Sequence, residues 1–135
     1  MMFSTSTQYA IRAIVFMARN KSDRKFRAAE VADELDIPTP YLSKVLQRLA
    51  RNGIVSSSKG PGGGFFVDDS NLKMRMIDVI TTMEGPRIFN KCILGLDSCN
   101  EKNPCFLHEE YTQIKKILDK PLYEKDFEDL INQYE

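Results

Sequence analysis

Histidine is nearly absent from this 135-residue chain, which holds one, His108, and only three cysteines. A lone histidine placed among cysteines leaves no base and nucleophile pair, and that argues against a hydrolytic or group-transfer enzyme. No stretch approaches the roughly 20 consecutive apolar residues that a membrane span needs. The start, Met-Met-Phe-Ser-Thr-Ser-Thr-Gln, lacks the basic region and apolar run of a secretory signal, so a cytosolic protein with no membrane partner is expected. An odd number of cysteines in a reducing compartment argues against a disulfide framework and for metal or redox work. Net charge is also lacking, at zero overall. Neither Gly-x-Gly-x-x-Gly nor Gly-x-x-x-x-Gly-Lys-Ser/Thr occurs at the glycine-rich stretch, which removes the usual phosphate cradles.

What the chain does have is concentration. Cys92, Cys99, Cys105 and His108 fall within one short segment, and such clustering of rare residues asks for a metal. Gly95, Asp97, Ser98, Asn100, Asn103 and Pro104 are turn formers that let the first two sulfurs sit in a loop curling around something. Asn103 reads as a helix cap with Pro104 in the first helical position. Cys105 is then expected in the first turn, where the helix dipole favours thiolate, and His108 shares its face. Thiolates suit an iron-sulfur cluster, 2Fe-2S or 4Fe-4S. A structural zinc usually takes closer Cys-x2 to x4-Cys pairs, and bare redox thiols are the other reading.

The zero net charge hides an asymmetry. Residues 1–64 carry 10 Lys and Arg against 5 Asp and Glu, and residues 65–135 carry 9 against 14. A basic first half suggests one part that meets a polyanion and another with a different task. Ser4 to Asn20 reads as a helix that is apolar nearly all round apart from Arg12 and Arg19, which suits either a plain core helix or one that packs on its own domain and on a second copy. A polar connection (Lys21, Ser22, Asp23, Arg24, Lys25) precedes a short helix, Ala28 to Leu35, with Val31, Ala32 and Leu35 inward. Asp36-Ile37-Pro38 stops it. The next helix is expected to start with Thr39 as cap and Pro40 at its first position, and to end near Asn52 with Gly53 as terminator. Leu42, Val45, Leu46 and Leu49 form its inward stripe, leaving Tyr41, Ser43, Lys44, Gln47, Arg48 and Arg51 on the other flanks. Two short helices joined by a tight turn, the second basic outside, give a helix-turn-helix pattern.

Ile54 to Ser58 then reads as a strand, Lys59-Gly60-Pro61-Gly62-Gly63-Gly64 as a hairpin tip whose glycines allow close approach to a partner, and Phe65 to Val67 as the return strand. This makes a winged helix, mainly α with a small β wing. Lys73 to Glu84 is expected to be a helix with Met76, Val79, Ile80 and Met83 inward, ended by Gly85-Pro86. After the cysteines, a helix from Pro104 to Lys120 carries Leu107, Tyr111, Ile114 and Leu118 as a narrow stripe suited to the same helix of another subunit. Pro121 is expected to break it before a last amphipathic segment with Phe127, Leu130, Ile131 and Tyr134. The organisation expected is residues 1–84 as the winged helix-turn-helix domain, 85–108 as the cysteine-rich loop, and 104–135 as the dimerisation and C-terminal helices.

Tyr9-Ala-Ile-Arg-Ala13, Tyr41-Leu-Ser-Lys-Val-Leu-Gln-Arg-Leu49 with Asn52-Gly-Ile-Val55, Lys59-Gly-Pro-Gly-Gly-Gly-Phe65 and Cys-x6-Cys-x5-Cys-x2-His together resemble the Rrf-two family of bacterial regulators over nearly the whole chain. The family's members include an iron-sulfur cluster regulator and a nitric-oxide-sensitive repressor. The resemblance implies a homodimer on a pseudo-palindromic double-stranded DNA operator, with recognition helices in successive major grooves, wings along the minor groove, and the long helix after the cysteines crossing its mate. It also implies Cys92, Cys99 and Cys105 as cluster ligands. Some relatives complete the set with a carboxylate from the first helix; here no Asp or Glu precedes Asp23, which favours His108. The candidates for DNA contact are Ser43, Lys44, Gln47 and Arg48 at bases and phosphates, Thr39 and Tyr41 near the backbone, and Arg51 and the wing 59–64 alongside. Two departures stand out: the first cysteine gap is one residue longer than in the well-known members, and position 43 is serine where the iron-sulfur cluster regulator has an acid. The same regulator without a cluster, sensing through thiols, a small ligand or a partner protein, is the alternative. An iron-sulfur carrier would leave the basic helix and wing without a task.

Overall fold

A computed structural model describes residues 3–20 and 24–133. Met1, Met2, the Lys21, Ser22 and Asp23 part of the basic connection, and Tyr134 of the last segment lie outside the described residues. The elements run α1 (Thr5–Arg19), α2 (Ala28–Leu35), α3 (Thr39–Arg51), β1 (Ser56–Ser58), β2 (Gly64–Phe66), α4 (Asp69–Leu72), α5 (Met76–Glu84), a 3-10 turn (Ile88–Asn90), α6 (His108–Glu124) and α7 (Phe127–Asn132). The architecture is thus mainly α with a two-stranded antiparallel wing.

α1 starts where the Ser4 hydroxyl accepts the Thr7 amide at 3.3 Å, which satisfies one free N–H of the first turn. Ala10, Ala13, Ile14 and Met17 recur at helical spacing and are buried, so this helix is the spine of the core. α2, α3, α5 and α7 all pack on it. The far end of α5 is tied back to its start: Glu84 accepts from the Ser4 amide at 2.5 Å and from the Thr7 hydroxyl at 2.7 Å.

α2 ends because Asp36 takes the left-handed conformation (φ 55°), after which the Ile37 amide reaches back to the Ala32 carbonyl at 2.9 Å. Pro38, not Thr39, caps α3; Thr39 is its first residue and Pro40 its second, and no side chain bonds the first turn. The expected register was off by one because two prolines flank Thr39, and Pro38 already has the extended backbone of a cap. Leu42, Val45, Leu46 and Leu49 are all buried, each leucine contributing about 1.5–3 kcal/mol relative to exposure. Gly53 (φ 73°) then turns the chain toward the wing.

The wing pairs Ser56 with Phe66 and Ser58 with Gly64, shorter than the strands expected from Ile54 and to Val67, whose ends are instead drawn into the core. Phe26 adds a third rung, exchanging two 2.7 Å hydrogen bonds with Phe65. That rung and the tight turn of the hairpin fix which glycines are obligatory. A Cβ on Gly63 would stand 2.4 Å from the Ser58 carbonyl oxygen, and one on Gly64 (φ 151°) 2.5 Å from the Phe26 carbonyl oxygen. These two glycines admit the chain's own backbone, whereas Gly60 and Gly62 at the tip have open space and positive φ.

The helix expected from Lys73 starts three residues late, and a separate short helix precedes it. Asp68 caps the short α4 by accepting from the Asn71 amide at 3.0 Å, and α5 begins only at Met76. Ile77 is buried with Val79, Ile80 and Met83, while Met76 is half-buried. Two corrections concern α6. It begins at His108 rather than at Pro104, and it runs through Pro121 to Glu124 rather than breaking there. The segment past the proline is held from outside: Arg75 donates to the Tyr123 carbonyl at 2.5 Å, and the Met76 amide to the Lys125 carbonyl at 3.0 Å. Phe127 of α7 then inserts fully into the core, with Leu130 and Ile131 packed beside it. No helix among the described residues is long and apolar enough to cross a membrane.

Candidate functional site

The sulfur-bearing loop is built from small turns. Gly95 (φ 77°) closes one by donating to the Cys92 carbonyl at 2.9 Å, and the Cys99 amide closes the next on Leu96 at 3.2 Å. Asn100 then accepts on its side-chain oxygen from the amides of Lys102 and Asn103 at 2.8 and 3.0 Å. Asn103 therefore serves this loop, pairing with Asn100, and is not a helix cap. Cys105 consequently sits outside α6, in the approach to it, and the amide rather than the helix dipole acts on sulfur: the Cys105 N–H donates to Cys99 Sγ at 3.3 Å.

The result is a convergence. The three Sγ atoms all lie within 4.8 Å of one another, each half-buried and free. Cys92 Sγ stands 3.7 Å from Cys105 Sγ, and Cys99 Sγ stands 3.6 Å from Nδ1 of His108, the first residue of α6. Thiolates that share one tetrahedral metal at about 2.3 Å stand roughly 3.8 Å apart, so the donors already fall into two metal-sized pairs. The cavity they open on measures about 310 Å³ and is also lined by Tyr111, Thr112 and Lys115 of α6. Backbone amides of Leu96 and then Leu94 hold the Cys92 thiol down at about 7, against the pull of desolvation. At Cys99 the Cys105 amide also lowers the value, but desolvation and the two neighbouring sulfurs outweigh it and the net shift is upward. Burial, and then the negative charge of Cys92, pushes the Tyr111 hydroxyl up. One member of the group thus ionises readily and another resists, as expected of thiols crowded together without a cation. The three sulfurs are a soft donor set that fits an iron-sulfur cluster or a metal ion, and His108, beside Cys99, stands outside the group in which every donor is close to every other.

A second surface lies on α3 and the wing. Thr39, Tyr41, Lys44, Gln47, Arg48 and Arg51 are exposed, Tyr41 by 65 %, while Ser43 is half-buried and accepts from Gln47 at 3.2 Å. At the wing, Lys59, Gly60, Pro61 and Gly62 are exposed; Gly63 and Gly64 are half-buried against the chain's own backbone. Lys25, read from sequence as part of the polar connection, is exposed and reaches the wing, its Nζ 5.7 Å from the Phe66 ring centroid. Alternation of charge and aromatic in Lys25-Phe26-Arg27 was the available signal for that edge.

The stripe on α6 is divided. Leu107 is half-buried as the residue before the helix, Tyr111 is buried at the sulfur cavity, Leu118 is half-buried, and Ile114 is 44 % exposed. Ile117, outside the expected stripe, is 73 % exposed and shares the Ile114 face. Phe106, at 81 %, stands beside the sulfurs.

Comparison with known proteins bears on both surfaces. The sequence model of one family, Rrf2, described as iron-dependent transcriptional regulator, matches residues 3–133. A protein named as a candidate HTH-type transcriptional regulator of Aquifex aeolicus is 33 % identical over 98 % of this chain and 92 % of its own. The HTH-type transcriptional regulator IscR of Yersinia pseudotuberculosis is 25 % identical over 98 % and 80 %. In fold, the chain is similar to CymR, the global cysteine regulator of B. subtilis, with a TM-score of 0.74 at 20 % identity over 97 % of this chain and 96 % of that one.

Proposed function

Because this chain belongs to the Rrf2 family of transcriptional regulators, we propose that it binds an operator as a homodimer and that a cysteine-held iron-sulfur cluster sets how tightly. The chain is a regulator, not an enzyme. α3 enters the major groove with Ser43, Lys44, Gln47 and Arg48 toward bases and phosphates, Thr39, Tyr41 and Arg51 toward the backbone, and the tip of the wing along the minor groove. These are the exposed polar and basic side chains of α3, except that Ser43 is half-covered by Gln47. Two copies meet through α6, where Ile114 and Ile117 offer uncovered apolar surface, joined by Phe106 just before the helix.

The observation that carries the sensing half is the gathering of Cys92, Cys99 and Cys105 within 4.8 Å at the root of α6, beside His108. These four residues would hold the cluster, which supplies a centre that answers to redox state, nitric oxide or iron-sulfur supply. The protein's own part is mechanical. The loop joins the end of α5 to the start of α6, and Lys115 of α6 bonds the Phe89 carbonyl of the loop at 2.7 Å. Any change in how the sulfurs are held shifts α6 against the DNA-reading domain, and through it the spacing of two recognition helices.

A second reading rests on the 3.7 Å between Cys92 and Cys105. In the metal-free chain those thiols are placed for two-electron oxidation to a disulfide, with one peroxide reduced to two waters and both thiol protons taken up by it. Anaerobic purification and reconstitution separate the two readings. Visible absorption with stoichiometric iron and acid-labile sulfide supports the cluster, whereas a colourless, iron-free product supports the thiol pair and leaves DNA binding untouched.

A further inference from the structure

Just before α2 the chain presents a cationic edge to the wing. Phe26 is buried there, and its neighbours Lys25 and Arg27 are exposed, the alternation of an extended segment. The antiparallel bridge from Phe26 to Phe65 sets both cations on the wing: one step either way, Lys25 falls opposite Phe66 and Arg27 opposite Gly64. The Lys25 ammonium over the Phe66 ring follows from this register. On its other side Gly64 pairs with Ser58, the residue before Lys59, so Arg27 and Lys59 flank the root of the tip from two sides. The nearest acid in sequence is already engaged: Glu30 is bound by the Arg24 guanidinium and accepts from the Arg27 amide at 3.2 Å. Among the described residues no carboxylate pairs with the side chain of Lys25 or of Arg27.

We propose that Lys25 and Arg27 are a second line of duplex phosphate contacts, beside the wing and continuous with Lys59. This rests on the DNA-binding reading and adds to it a grip outside α3 and the tip. Two residues apart on one face of an extended segment, the cations are spaced by about 7 Å along the chain. One DNA strand rises about 3.4 Å per nucleotide, so the pair spans about two steps of its backbone. The two 2.7 Å bonds between Phe26 and Phe65 fasten this edge to the wing, so strand and wing settle on the duplex as one body. Contacts to phosphate position a protein and carry no sequence information. The edge therefore tightens binding to every duplex alike and leaves the choice of sequence to α3.

The test measures, by fluorescence anisotropy over a range of salt, the full-length protein on a duplex it selects from a random library and on a scrambled duplex. Lys25→Ala with Arg27→Ala is expected to lower the slope of log affinity against log salt by about two, and to weaken both duplexes by the same factor. Lys25→Gln alone, which leaves the backbone rung untouched, is expected to lower it by about one even if the double variant unfolds. Lys25→Arg with Arg27→Lys keeps both charges and is expected to keep the slope. Lys102→Ala with Lys120→Ala removes the same charge from exposed positions elsewhere and is expected to leave the slope unchanged. An unchanged slope for Lys25→Gln, an equal fall in the Lys102 and Lys120 control, or a changed ratio of selected to scrambled affinity overturns the proposal. If the unaltered protein selects no duplex, the DNA-binding reading falls and the proposal with it; selection with unaffected slopes removes the proposal alone.

Discussion

Replacing Gly64 by alanine separates glycine as a turn former from glycine as a space for the backbone of Phe26. The new Cβ would stand 2.5 Å from the Phe26 carbonyl oxygen where ordinary contact begins near 3.4 Å, so the backbones must part by about 1 Å. That movement breaks the two 2.7 Å bonds between Phe26 and Phe65. At about 1 kcal/mol net for each bond, with a further 1–3 kcal/mol or so for forcing a side chain into a backbone region almost reserved for glycine, the loss comes to roughly 3–5 kcal/mol. For a chain of this size that is a fall in Tm of roughly 10–20 °C. Gly60→Ala, with positive φ but nothing within 4 Å, is expected to cost only about 1–2 kcal/mol. Thermal and guanidinium unfolding of both variants by circular dichroism, at one protein concentration, decides the matter. Equal losses, or a larger loss at Gly60, would refute the claim that the root of the wing is locked by the rung from Phe26.

Arg48→Ala or Lys44→Ala is expected to weaken duplex binding and to reduce the slope of log affinity against log salt by about one per phosphate contact removed; an unchanged slope measured by fluorescence anisotropy places the contacts elsewhere. Glu84 gives a pH dependence. Burial alone would raise its carboxyl, but the Ser4 amide, the Thr7 hydroxyl and the charge of Lys91 overcome this and hold it below the usual value. Its contribution is therefore complete above the unfolded value of about 4.3 and is lost as pH falls through the lower folded value. Glu84→Gln should flatten the decline in stability below about pH 4.5, and a wild-type acid profile in that variant would contradict the assignment.

The helix-turn-helix was legible because its signals are local. Leu42, Val45, Leu46 and Leu49 repeat at helical spacing, and all four are buried. Elements that depend on distant partners were not. Asn103-Pro104 has the composition of a helix start, yet Asn100 claims Asn103 for a loop turn. Pro121 has the composition of a break, yet Arg75, forty-six positions earlier, bonds the carbonyl of Tyr123 and keeps the helix intact. The rung from Phe26 to Phe65 joins residues thirty-nine positions apart, and the alternation in Lys25-Phe26-Arg27 marks an extended edge without naming its partner. For the sulfur site, spacing singled out the four residues, but not that they divide into the pairs Cys92 with Cys105 and Cys99 with His108. That division follows from how the turns at Gly95 and Asn100 bend the loop.

The central claim is that the state of the sulfur pocket alters the grip of α3 and the wing on DNA. Affinity for one selected duplex, measured anaerobically for the reconstituted protein, the metal-free protein and the Cys92, Cys99, Cys105→Ala variant, tests it most directly. A coupling of about 1–3 kcal/mol should separate the reconstituted form from the other two by roughly 5- to 150-fold. Identical dissociation constants for all three forms would show that the pocket and the reading surface do not communicate.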